Sequence, residues 1–335
     1  MWNKALWWKE YRQVMWLVWI FPIVHFLLLG MQRFDKWILE WEEKSRLYPR
    51  TITDMAVAYN NGDMESVTRV ILCLLVALLG GMLLGAERRN GVQELMFAMP
   101  YTRKQLFWTK WMFGLVLIMG STLLNSAIDI AIVLNSPIAS FFSFNYHLFQ
   151  CVYTIFILMA VYATVLFIGT ISGSMASQLI FSGIFAALPI GFSVLLEVFL
   201  EVNGWERVRY YTDSYPSSLN MWMENISLVS YLYMGMEYTD ALPIIVPGVY
   251  LLLFTVWGYW LYERNRLENN GKLMLFPIGE TTLKIGFVVC TSLLGAAFLY
   301  GIFQNKAFMY YVGLLVSIVF STLLIRRMTK VRWKV

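Results

Sequence analysis

Long apolar runs separated by short polar breaks fill most of the chain. They lie at 14–31, 67–86, 111–134, 148–169, 177–200, 243–262, 283–303 and 307–325. Each comes close to the roughly 20 residues that an α-helix needs to cross a hydrocarbon core. The pattern predicts eight transmembrane helices. The fourth and fifth runs are interrupted only by GTISGSMASQ (169–178), and one helix covering both would be too long for a bilayer. A tight turn is predicted there, its small and hydroxyl residues suiting close helix contact.

The polar breaks carry the rest of the information. Residues 85–111, GAERRNGVQELMFAMPYTRKQLFWTKW, form a short charged block between the second and third runs. Asn90-Gly91 is a turn signal, and Val92, Leu95, Met96 and Met99 then fall at i, i+3, i+4 and i+7. That spacing predicts a short amphipathic helix, with Gln93 and Glu94 facing away from the apolar stripe. Pro100 stops it, and Thr102 stands three residues before Gln105, the spacing of a capping box for a second helix. From spacing alone the block is either a rigid docking surface or a plain connecting loop.

Other breaks are longer. The segment 32–66 is charged and expected to be partly helical. The segment 201–242 is rich in Tyr, Trp and Met, which suits an aromatic belt at the membrane interface, a re-entrant hairpin or a lid. At the start, WNKALWWKEYRQ places Trp2, Leu6, Lys4, Lys9 and Arg12 at helical spacing, predicting an amphipathic helix on the membrane face, held by tryptophans and by cations near lipid phosphates. No small-residue cleavage site follows a short apolar region, so the first run is expected to be a retained span.

Composition fixes the class. Of 335 residues, 59% are apolar and 14% charged, well below the roughly 25% charged of soluble domains. The chain is read as an all-α integral membrane protein. Its net charge of +5 is spread over loops flanking spans, which suits orientation in a bilayer rather than nucleic-acid binding. With eight spans, both termini share a side. That side holds Lys4, Lys9, Arg12, Arg88, Arg89, Arg103, Lys104, Lys110, Arg264, Arg266, Lys272, Lys284, Arg326, Arg327, Lys330, Arg332 and Lys334, which is 17 of 26 Lys and Arg. The positive-inside bias places both termini and the 85–111 block in the cytoplasm.

Candidate chemistry is sparse. Cys73, Cys151 and Cys290 lie inside apolar runs and read as small core residues. The two histidines, His25 and His147, offer no partner for Ser172 or Ser174, and Thr170 breaks the GxSG spacing, so neither a catalytic nor a metal site is expected. The sole Gly-Lys pair, Gly271-Lys272, lacks the rest of a phosphate-binding loop, so no ATP site is expected in this chain. Asp129, near Asn125 in the third span, is a possible intramembrane polar site: a charge at mid-membrane costs about 2.5–3.5 kcal/mol on insertion scales. It supports an alternative reading, an ion-coupled carrier or channel, against which the absence of internal repeat symmetry weighs. Pro22, Pro189 and Pro247 are candidate kinks.

The block at 85–111 resembles the membrane-spanning permease subunits of type-2 ABC transporters. Their form E-R-x-x-G-x-x-E-x-L-x-x-x-P-x-x-R, followed by a Lys at the next span, is matched by Glu87, Arg88, Gly91, Glu94, Leu95, Pro100, Arg103 and Lys110. The resemblance covers about residues 1–262 and implies that this loop docks in a groove of a separate ATPase subunit, with Glu94 and Arg103 as polar contacts and Leu95 and Met99 as apolar anchors. It implies a second permease subunit, identical or not, an ATPase partner using ATP-Mg, no cofactor on this chain, and export. Familiar members have six spans. Here the segment 263–277 and two further spans, within one 1–335 permease domain, are similar to long forms from Gram-positive bacteria.

Overall fold

The computed structural model describes residues 4–39, 62–204, 218–233, 242–265, 271–303 and 306–330. Among them the helices, in chain order, are α1 (Lys4–Leu39), α2 (62–89), α3 (Val92–Ala98), α4 (Arg103–Leu134), α5 (Phe144–Ile171), α6 (Met175–Val202), α7 (Ser218–Ile226), α8 (Ser230–Tyr233), α9 (Leu242–Glu263), α10 (Pro277–Ile302) and α11 (Ala307–Lys330). All except α3, α7 and α8 are long and apolar enough to cross a membrane, and they correspond one for one to the eight apolar runs.

α5 is the centre of the bundle. Its Tyr153, Ile157, Leu158, Tyr162 and Leu166 are buried, and α2, α4, α6 and α9 pack around it. α1 lies against α4. α10 and α11 pair as a hairpin that meets the bundle at α6. Alternating spans bring one end of each together: the start of α1, the α2–α4 connection, the α5–α6 turn, the end of α9 and the start of α10. Together they form the elbow end of the bundle, opposite its far end.

Two sequence expectations change in detail. The amphipathic N-terminal segment is not a separate helix among the described residues: it is the opening of α1, which bends at Val14 (φ −124, ψ 21) and continues as a span. Residues 32–39, expected in a loop, extend α1 through π-helical turns at Phe26–Gly30 and Asp35–Leu39. The described part of 201–242 touches the bundle at several points. Ser227 donates to the Ala186 carbonyl at 3.1 Å, in the middle of α6, and Tyr250 donates to the Ile226 carbonyl at 2.9 Å. Tyr153 likewise donates to the Tyr231 carbonyl. Residues 226–231 are therefore held against the bundle by hydroxyl–carbonyl hydrogen bonds, while Trp222 of α7 stays exposed. Pro22, Pro189 and Pro247 all sit inside continuous helices. Trp2, residues 40–61, 205–217, 234–241, 266–270 and the basic end from 331 lie outside the described residues.

Candidate functional site

The elbow is built by a change of helical phase. α2 is α-helical to Gly80, widens to a π-helix over Gly81–Ala86, and ends on Glu87–Arg89. An inserted π turn rotates everything after it. Here it points the consecutive side chains of Glu87 and Arg88 inward, and both are buried. Gly85 allows this, since a Cβ there would stand 2.6 Å from the Cα of Met175 at the start of α6. Gln178 secures the same level: its carboxamide donates to the carbonyls of Gly80 and Val165 at 3.1 and 3.0 Å, joining α2, α5 and α6.

Glu87 belongs to a buried ionic cluster. Lys110 of α4 lies 2.5 Å from Glu87 and 2.9 Å from Glu10 of α1, and Lys9 lies against both carboxylates. The hydroxyl of Tyr162 donates to the Lys110 carbonyl at 2.7 Å. Two cations and two anions thereby bind α1, α2 and α4 at one point, and the Tyr162 hydroxyl ties α5 to it. Arg88 does the same on the other flank. It donates to the carbonyls of Gly169 and Ser172 at the end of α5, and its Nε donates to the Gln93 side chain of α3 at 3.0 Å. Five donors on a planar fork let one side chain satisfy several acceptors at a helix end.

α3 follows a turn at Gly91, whose φ of 68° is the left-handed region that favours glycine. Its inward side is Gln93 and Met96, both buried, with Phe97 partly buried. Glu94, Leu95, Met99 and Pro100 are exposed, Leu95 by 58%. The expected stripe is thus split. Gln93 was assigned outward and lies inward because Arg88 captures it, while Leu95 and Met99 are left uncovered. The capping box is present: Gln105 N–H donates to the Thr102 hydroxyl at 3.2 Å, and Thr102 N–H to the Gln105 side chain at 3.0 Å. Arg103 does not point away from the protein. It donates to the carbonyls of Glu263 and Asn265 at 2.7 and 2.8 Å and covers the ring of Phe97 at 4.5 Å. That fixes the start of α4 to the end of α9.

The predicted turn at 169–178 is real. Ser174 caps α6, and residues 271–275 run alongside as an extra layer. Leu275 N–H donates to the Ile171 carbonyl at 2.8 Å and Gly271 N–H to the Gly173 carbonyl at 3.0 Å. The segment that the last two spans add is therefore stitched to the turn that Arg88 holds.

At the far end, Asp129 is buried and meets Arg33 of α1 at 3.0 Å and His147 of α5 at 3.2 Å. Arg33 also meets Glu65 of α2 at 2.7 Å. Asp129 is not an open cation ligand. Asn125 turns to the carbonyls of Ser121 and Pro22, at 2.9 and 3.3 Å, and serves helix packing.

A family model described as an ABC-2 family transporter protein matches residues 51–238. The chain belongs to this family. Two proteins of Bacillus subtilis (strain 168) are similar to it. The probable ABC transporter permease YtrC is 26% identical over 237 residues, covering 68% of this chain and 69% of that protein. The probable ABC transporter permease YtrD is 22% identical over 231 residues, covering 68% and 67%. No solved structure matches. The ABC-2 match contains the whole elbow from Glu87 to Lys110 and the turn at 169–178, and it ends before the last three spans. This ABC-2 protein is a multi-pass, all-helical membrane-spanning subunit.

Several elbow residues were not singled out from the sequence. Glu10 carries no signal of its own within the N-terminal segment, Lys9 reads as a cation facing lipid phosphates, and Gln178 as part of a turn. Their shared signal was burial demand: a charge beside a long apolar run must find a partner on another span.

Proposed function

We propose that this chain is the permease half of an ATP-driven exporter, energised by a separate ATPase that docks on residues 88–106 from the cytoplasmic side. The observation that carries the reading is the two-sidedness of α3. One side, Gln93 and Met96, is held by the bundle, while Glu94, Leu95 and Met99 stand clear of it. An exposed apolar residue beside a carboxylate, on a short helix fixed at both ends, suits docking of a soluble partner. In this reading Leu95 and Met99 are the apolar anchors and Glu94 the polar contact. Glu87, Arg88 and Arg103 position the helix from within.

The same contacts give a route for force. A push on α3 passes through Arg88 to the α5–α6 turn, through Glu87 and Lys110 to α1 and α4, and through Arg103 to α9. Spans joined at one end by rigid polar contacts move together, opening and closing a path between this subunit and a second permease. The excess of Lys and Arg at the elbow end supports a cytoplasmic elbow and termini in the cell membrane.

Co-isolation with the ATPase tests the reading. The unaltered chain is expected to retain it, Leu95→Asp to lose it, and Ser140→Asp at the far end to keep it. Equal retention by all three contradicts docking at α3.

A further inference from the structure

Toward the far end, α1, α2, α4 and α5 line a partly open cavity of about 40 Å³. That is room for a few water-sized groups. Its carboxylates are already engaged. Glu65 accepts from Arg33 and, at 2.7 Å, from the Tyr146 hydroxyl, while Asp129 meets Arg33 and His147. What remains open on the wall is donor chemistry. Arg69 of α2 is only 3% exposed. Its contacts are the Gln150 side-chain oxygen at 3.1 Å, the Ser66 hydroxyl at 3.4 Å and the face of Tyr153 at 5.1 Å. None is a carboxylate, although Glu65 lies one helical turn away, because Glu65 is turned to Arg33 and Tyr146. The Nε of Arg69 has no hydrogen-bond partner, and neither has the hydroxyl of Thr122 or the Nδ1 of His25, both also buried in this wall.

A buried guanidinium without a counter-charge is unfavourable, as is an orphaned buried polar atom, and the His25 ring nitrogen donates in the tautomer protonated there. One ligand relieves all three. We propose that the cavity binds a small monovalent anion, the size of a halide or a carboxylate group, held by Arg69 with Thr122 and His25 completing its shell. The positive side chain and two hydroxyl or ring donors from α2, α4 and α1 give the site three spans to bridge. An anion there ties the far ends of those spans together, opposite the elbow.

The test uses the full chain purified in detergent with gluconate as the sole anion, its thermal unfolding followed as bromide is added. A saturable rise in Tm is expected, beyond that given by gluconate at matched ionic strength. Arg69→Gln is expected to abolish that increment, and Thr122→Val to raise the half-effect concentration several-fold. Absence of a saturable response in the unaltered chain overturns the proposal, as does an equal response in Arg69→Gln; the cavity then holds water alone. Should Arg69→Gln fail to fold, bromide anomalous scattering from crystals of the unaltered chain decides: a peak beside Arg69 supports the site, and its absence overturns it. No ATPase enters either assay, so failure here leaves the transport reading untouched.

Discussion

Lys110 of α4 reaches Glu10 of α1 across the elbow, its ammonium 2.9 Å from the carboxylate and each side chain only 1% exposed. With Glu87 on the same ammonium, one lysine neutralises carboxylates from two other helices. Removing it leaves only the partly exposed Lys9 to face two buried carboxylates, and breaking a buried pair costs about 3–5 kcal/mol. Lys110→Met is expected to lower the unfolding midpoint of the purified chain sharply. Adding Glu10→Gln and Glu87→Gln is expected to recover much of the loss. A single variant as stable as the unaltered chain would show that the cluster does not hold these spans.

The α2–α4 connection rests on two local devices. Gly91 supplies a left-handed turn, and Ala in that conformation costs about 1–2 kcal/mol. Thr102 caps α4, a contribution of about 1 kcal/mol. Gly91→Ala and Thr102→Ala are each expected to speed amide exchange across 92–105 while leaving α5 unchanged. Faster exchange throughout the bundle would mean that these residues serve global stability instead.

The stitching of 271–275 to the α5–α6 turn depends on backbone donors. Leu275→Pro removes the N–H that binds the Ile171 carbonyl, whereas Leu275→Val keeps it. The proline variant is expected to become cleavable by trypsin after Lys272, and the valine variant to resist as the unaltered chain does. Equal cleavage of both would assign the protection to packing alone.

Orientation has its own test. In a background with Cys73, Cys151 and Cys290 replaced by alanine, Glu94→Cys is expected to react with an impermeant maleimide only in inverted vesicles. Ser140→Cys, on the exposed α4–α5 connection, is expected to react in intact cells. The reverse pattern would place α3 outside the cell, away from any ATP.

The spans were legible because hydropathy over twenty residues is a strong and local signal. The capping box at Thr102 and the turn at Asn90-Gly91 were legible for the same reason, since both act within four residues. The inward turn of Gln93 was not. Helical spacing assigns a polar residue to the polar face, and only the π turn before Glu87 together with Arg88 reverses it. Arg103 was read as a surface contact because its acceptors, the carbonyls of Glu263 and Asn265, lie some 160 residues onward in sequence. The cavity is hidden in the sequence for a similar reason. His25, Arg33, Glu65, Arg69, Asp129 and His147 each look like isolated polar residues until four spans bring them to one wall.

The account turns on whether a separate ATPase sits on the uncovered side of α3. A photo-reactive amino acid placed at position 95, in cells that make the full transporter, measures this directly. The expected result is a cross-link from position 95 to an ATPase subunit, absent when the probe is placed at position 96, whose side chain is buried against the bundle. An ATPase that co-purifies with the chain yet cross-links at neither position, or equally at both, would contradict it.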